Sequence, residues 1–494
     1  MKQTPTFLAT LVLSALALTW SMPAFAQDPS STQEPDTQDQ QPIVVQPEST
    51  QAAPKPAGRS GSTFTDTSDV VDDSGLTLRP DSTTLTGAQV AGLGTPDERH
   101  SYFVPGFQYG NFFRSSTLEA PEVGDWNSTS FIAGNISLLQ QWSRAEFALN
   151  YTGGGTFATD PKQGNGFYHQ FQAQQIFEWR HAKLSVIDQF DYLPQSQFGF
   201  GVSSPLAMPG IGGPLGPSLP ALQTNYLPNQ SIFDTLGSRY SNSATTELAT
   251  YLSPRSTITF SASYGILRFD DPGNIASDDE IGSLGYDYQL TKRDTIGVLY
   301  RYTGYTYLGD PQKIGDHVAQ LAYGRKITGR AALQLFVGPE ITEFRVPLNN
   351  QTQRISFSGG GNLAYAVSHT NFTIGYNHGV AAGSGAFAGS TADKLTGSAS
   401  RHLTRIWDGN IDVGYARNRS LGGFVGTLSE PEVNSYFASA GVQRPVGRTA
   451  TAAFAYSAFI ENSFAGCSVG ACIGYVQNQI SVSFQWHIQP IVIE

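Results

Sequence analysis

The residues best suited to covalent chemistry lie near the end of the chain. Gly466-Cys467-Ser468-Val469-Gly470 fits the G-x-S-x-G pattern, in which a serine becomes a nucleophile on a strained turn between a strand and a helix. Here the flanks on both sides read as strand, so nothing would aim the serine, and an enzyme is only a distant third expectation. Eight histidines are scattered singly, none at metal-ligand spacing. Asp278-Asp279-Glu280, with Asp270-Asp271 upstream, offer oxygen ligands of the kind Ca²⁺ takes. Acids solvated in a loop are the simpler expectation. No catalytic residue, cofactor or metal site is therefore expected.

Ionisable residues of a different use emerge when side chains are sorted by alternation. Glu146, Glu247, Asp287, Glu340 and Asp412, with Arg301 and Arg354, fall on the polar rows of alternating segments. Facing water inside a low-dielectric wall, such charges tune ion selectivity, and their acidic excess predicts a slight preference for cations.

The elements that would position them follow from composition and period. The chain has 494 residues, 52 of them Gly, and only 14% are charged, against ~25% in ordinary soluble domains. After the N-terminus no apolar run approaches the ~18 residues of a membrane helix, which excludes a helical membrane protein. The net charge of −11 excludes a basic nucleic-acid footprint. Two cysteines exclude a disulfide scaffold or a Cys-rich zinc module.

Lys2, the apolar stretch 7–20 and Ala24-Phe25-Ala26 form the three parts of an export signal, so residues 1–26 are expected to be removed. Export exposes Cys467 and Cys472 to an oxidising compartment, which predicts a local disulfide between them. Residues 27–60, rich in Gln, Pro, Ser and Thr, are expected to form a disordered periplasmic tail. Residues 61–100 read as irregular, with a partly lumenal course as one option.

Within residues 101–494, from Ser243 onward, an alternating strand, a tight polar turn, a second alternating strand and a longer Gly/Asp/Pro loop recur about every 38 residues, and two earlier hairpins fit the same description. Val476, Ile480, Val482, Phe484, Trp486 and Ile488 share one row, and Gln477, Gln479, Ser481, Ser483, Gln485 and His487 the other. Strands of ~9 to 11 residues with turns alternately short and long predict an antiparallel up-and-down transmembrane β-barrel. Counting predicts eighteen strands, with sixteen as the alternative because the first contains Pro105. Asp188 falls on an apolar row, which predicts a bulge or a register error there. Trp142, Trp179, Trp407 and Trp486 fall at one level and would form an interfacial girdle.

On these rows and turns the chain resembles the porin-type outer-membrane barrels of Gram-negative bacteria. The resemblance is architectural and carries no family signature. It implies an outer-membrane location with tail, tight turns and C-terminus periplasmic, contacts with outer-membrane lipids and the barrel assembly machinery, and a homo-oligomer as an option. It also implies a channel for passive or substrate-selective diffusion of small hydrophilic solutes. The alternative is a non-conducting structural or adhesion barrel. General porins fold their third loop inward, so residues 200–235 are expected in the lumen. The chain departs from the pattern at its end, where Trp486 is followed by eight residues rather than closing the chain as an aromatic.

Overall fold

The computed structural model describes residues 84–89, 101–118, 126–159, 165–193, 222–228, 238–270, 274–328, 330–348, 351–367, 369–383, 385, 387–422, 432–463 and 474–493. All lie in the compact unit Arg59–Glu494. The expectations for residues 1–60, for Cys467 and Cys472, and for the G-x-S-x-G segment fall outside the described residues.

The alternating segments form β1 (Tyr102–Leu118), β2 (Trp126–Gln141), β3 (Ala145–Ala158), β4 (Gly166–Glu178), β5 (Ala182–Leu193), β6 (Arg239–Ser253), β7 (Ser256–Phe269), β8 (Ser277–Gln289) and β9 (Asp294–Tyr307). They continue as β10 (Lys313–Thr328), β11 (Ala331–Leu348), β12 (Gln351–Val367), β13 (Thr370–Ala381), β14 (Ser390–His402), β15 (Asp408–Ser420), β16 (Glu432–Val446), β17 (Ala450–Ser463) and β18 (Gly474–His487). Each pairs antiparallel with its neighbours in sequence, and β18 returns to β1 in a ladder from Gly106↔His487 to Leu118↔Tyr475. The wall is closed at eighteen strands, so no strand stands as a free edge of the sheet.

Pro105 shows why the first strand was hard to read. It sits where the β18 ladder ends and a short β19 (Ile491–Val492) takes over, pairing with Tyr102 and Phe103. A residue without an N–H is tolerated at such a break. The C-terminal extension is thus built into the wall.

The two rows separate as the alternation requires. On β17, Phe454 and Tyr456 point outward and are exposed, while Ala455 and Ser457 point inward and are buried. Leu284, Leu321, Val337, Ile355, Phe357 and Ile411 are more than half exposed on the outer face. A soluble monomer rarely exposes more than a few hundred Å² of contiguous apolar surface, so this belt is matched to hydrocarbon. Trp142, Trp179, Trp407 and Trp486 are all exposed at the tight-turn end. The Arg444 guanidinium lies 5.7 Å over the Trp407 ring. Tyr264, Tyr302, Tyr376 and Tyr456 are exposed on the outer row toward the other end.

Three local readings change. Neither ladder of β5 shifts register, so Asp188 does lie on the outer row, where the Asn242 amide donates to it at 2.7 Å. The explanation is a polar pair on adjacent strands, not a bulge. Asp278-Asp279-Glu280 belong to β8 rather than to a loop, so their side chains alternate faces and cannot converge on one ion. Asp278 instead pairs with Arg268 at 2.5 Å. The strand pattern places one tight turn at Asp408-Gly409, but these residues open β15 and the turn lies earlier, at 403–407, with Trp407 in it.

Candidate functional site: the barrel lumen

The inner row is mainly Ser, Thr, Asn and Gln with interspersed charges, and among the described residues three other pieces of chain occupy the space it encloses. The first is Thr84–Gln89. Its Thr86 N–H donates to Asp287 Oδ2 at 3.2 Å, and its Ala88 N–H donates to Glu247 Oε2 at 2.5 Å. The wall is hollowed to receive it: a Cβ on Gly285 would come within 2.3 Å of Thr86 Oγ1, and one on Gly297 within 2.8 Å of Thr86 Cγ2. Leu85 lies near Gly324, close to the tight-turn end of β10, and Gln89 bridges Leu222 higher up.

The second piece is Leu222–Leu227, around a 3-10 turn at Thr224–Tyr226. Tyr226 Oη meets Ser261 Oγ at 3.0 Å and Ser283 Oγ at 2.9 Å, and Ser243 Oγ donates to the Tyr226 carbonyl at 2.7 Å. Ala88, Leu222 and Tyr226 pack with Ile187 and Ile281 of the inner row into a small apolar core inside the lumen. Residues 203–218, at the centre of the expected inward loop, lie outside the described residues.

The third piece is the connection from β13 to β14. Gly383, Gly385 and Gly389 have φ of 88°, 92° and 92°, the left-handed region where a side chain is strained. Cβ atoms on Gly385 and Gly389 would also come within 2.4 Å of Phe269 Cζ and 2.3 Å of Ile314 Cδ1. The segment is anchored by Ile275 N–H donating to the Gly385 carbonyl at 2.8 Å. Val380, Ala382 and Leu421 pack there with Tyr305, Tyr307, Ile314 and Phe344. β13 can bend inward because its ladder with β12 runs only from Gly359↔His378 to Val367↔Thr370. Beyond that point the Val380 N–H donates to Glu340 Oε1 at 3.0 Å.

Of the residues singled out in the sequence, Glu247, Asp287, Arg301, Glu340 and Asp412 are buried on the inner row. Glu340 also accepts from Ser356 Oγ at 2.8 Å and lies against Asp316, as does Arg301. Asn410 donates to Asp412 at 2.7 Å. Glu146 stands near the tight-turn end, where Gln141 donates to it at 3.3 Å. Arg354 donates to Thr391 at 3.4 Å across the opening between β12 and β14. Glu247 and Asp287 are joined by Thr84–Gln89, and Arg301 and Glu340 meet at Asp316, while Glu146, Arg354 and Asp412 stand apart from both groups.

Asp191, Asp316 and Glu461, with Lys183, Arg239 and Lys394, also occupy inner positions that alternation alone would have found, as does Asp279, which the sequence placed in a loop. The inward segments had a fainter signal: Ile187, Ile281, Tyr305 and Phe344 are large apolar residues on rows that otherwise favour small polar ones. The inner row is open rather than buried along β12 to β14, half-buried at Asn362, Lys394, Thr396 and Ser398 and exposed at Thr373.

No family model matches the chain, and no curated protein matches it. Solved structures do. The outer membrane protein OpdK of Pseudomonas aeruginosa is 9% identical, with a TM-score of 0.41, over 78% of this chain and 99% of that one. OccK2 (OpdF) of the same organism, solved with glucuronate, is 10% identical with a TM-score of 0.42, over 78% and 98%. OccK5 (OpdH) is 12% identical with a TM-score of 0.40, over 78% and 98%. The architecture rests on the chain's own ladder: closed at eighteen strands, apolar outside and polar within, it is that of a porin-type outer-membrane β-barrel without a family signature.

Proposed function

We propose that the protein is an outer-membrane channel for small hydrophilic solutes, narrowed by chain folded into its lumen and weakly selective for cations. The observation that carries this reading is the inner row itself. A wall needing only to fold would gain from apolar packing inside, yet here Ser, Thr, Asn, Gln and charged groups line the interior from turn to loop. The open stretch along β12 to β14 is where water and solute would pass. Acids outnumber bases among the inner-row charges named above, which favours cations in a low-dielectric passage. Tail, tight turns and C-terminus face the periplasm in this reading, and the long loops face outward.

A second reading, a non-conducting structural or adhesion barrel, is favoured by the three segments that occupy the lumen. Folded protein in planar bilayers between unequal KCl solutions separates the two. Discrete conductance steps whose reversal potential has the sign of cation selectivity are expected. Folded protein that inserts without giving steps would end the channel reading and leave the adhesion barrel.

A further inference from the structure

We propose that Glu247 and Asp287 form a lumenal site for solutes bearing ammonium, guanidinium or amide N–H groups, which Thr84–Gln89 fills as a tethered competitor. The inference rests on the channel reading and names the solute class that such a channel would favour.

The site shows its preference through what it holds. Thr84–Gly87 is a turn closed by the Gly87 N–H donating to the Thr84 carbonyl at 3.2 Å, and the N–H groups of Thr86 and Ala88 beside it reach one carboxylate each, at 3.2 and 2.5 Å. Thr84 Oγ1 adds a longer contact to Glu247 Oε1, at 3.5 Å. All three ligands are hydrogen-bond donors, and none carries a charge.

The site is also underfilled. Asp287 is 5% exposed, and its Oδ1 has no hydrogen-bond partner, while the Thr86 side chain acts on the same carboxylate from within the hollow. A buried carboxylate oxygen without a donor is costly, and a cation donating to it would relieve more of that cost than a neutral amide does. Lys183 is the cation acting on Glu247 from the inner row.

The occupant is held by single contacts: the Gln223 N–H donates to the Ala88 carbonyl at 2.8 Å and the Gln223 side-chain amide donates to the Gly87 carbonyl at 2.8 Å. Among the described residues its one β-bridge is Gln89↔Leu222, so it forms no ladder with the wall. Thr86 rests in a hollow made by the missing side chains of Gly285 and Gly297. A solute cation entering from the tight-turn end would meet the same hollow and the same two acids, and displacing the segment would widen the lumen.

A reversible lock tests both halves. A Cβ on Gly324 would lie 3.9 Å from Leu85 Cγ, within reach of a disulfide after small adjustment. In full-length protein carrying Cys467→Ser and Cys472→Ser, Leu85→Cys with Gly324→Cys should form an intramolecular disulfide, read by intact mass. Conductance in bilayers should rise severalfold on reduction. Agmatine, which carries a guanidinium and an ammonium, should block the reduced channel, and Glu247→Gln with Asp287→Asn should weaken that block by about tenfold.

Failure of the disulfide to form would show that the segment does not lie beside Gly324 and would overturn the proposal. A verified disulfide with equal conductance before and after reduction would overturn the tethered competitor. Unchanged agmatine block in the double carboxylate variant would overturn the acid site. Absence of conductance in every form, wild type included, would instead refute the channel reading itself.

Discussion

Glu432 shows how a single side chain can tie the rim of this barrel together. It lies on the outer row of β16, beyond the tyrosine level of Tyr415 and Tyr436, and accepts from Arg417 at 2.7 Å, Asn434 at 2.9 Å and Arg419 at 3.3 Å. The Arg417 hydrogen bond, more than any other contact, holds its carboxyl down to about 2. A carboxyl depressed in the fold stabilises at pH above its unfolded value of ~4.3 and loses that contribution as pH falls toward the folded value. Both arginines are more than a third exposed, so screening holds the contribution to about 1 kcal/mol or less. Glu432→Gln should therefore unfold at lower urea than wild type near neutral pH, with the gap closing between pH ~4.5 and ~2. A gap that persists at the acid end would mean that shape, not charge, makes Glu432 matter.

Among the elements, the turn from β13 to β14 departs most from a plain hairpin. Its glycines serve two needs, a left-handed backbone and close approach to Phe269 and Ile314. Gly385→Ala with Gly389→Ala meets both obstacles, at a backbone cost of about 1–3 kcal/mol for each position before any clash is counted. The wall below does not depend on this segment, because the β13 to β14 ladder runs unbroken from Thr370↔Arg401 to Ala381↔Ser390. The double variant should keep the gel shift on heating that marks a folded barrel and should show a larger single-channel conductance. Equal conductance in a folded variant would place the segment outside the conducting path. The sequence offered little warning, since Ala382-Gly383-Ser384-Gly385 reads like any mobile loop tip. What fixes it is contact with residues more than sixty positions away in sequence, such as Phe269 and Ile314.

At the scale of the whole molecule the two rims differ in charge and loop length, which gives the barrel a direction. Lys292-Arg293 and Arg325-Lys326 stand at the tight-turn rim, where the Asp294 carboxyl is lowered chiefly by the hydrogen bond from Thr291. If that rim is periplasmic, a cysteine at Gly329 should resist an impermeant maleimide in intact cells, and one at Gly273 should react. Labelling at Gly329 without permeabilisation would reverse the orientation.

The sequence by itself determined the barrel, a count of eighteen strands against an alternative of sixteen, and the inner row of Glu247, Asp287, Arg301, Glu340 and Asp412. Side-chain direction in a strand has a period of two, and closure with short turns forces each strand to pair with its neighbours in sequence. Even the outward position of Asp188 was present in the alternation, though its partner Asn242 was not. Only the tertiary structure decided what fills the interior. Thr84–Gln89, Leu222–Leu227 and the turn after β13 carry no period, and their places depend on single contacts with Asp287, Glu247, Ser283 and Phe269 that closure of the wall brings within reach. Local pattern encodes which way a residue faces, and only the closed wall determines what it meets there.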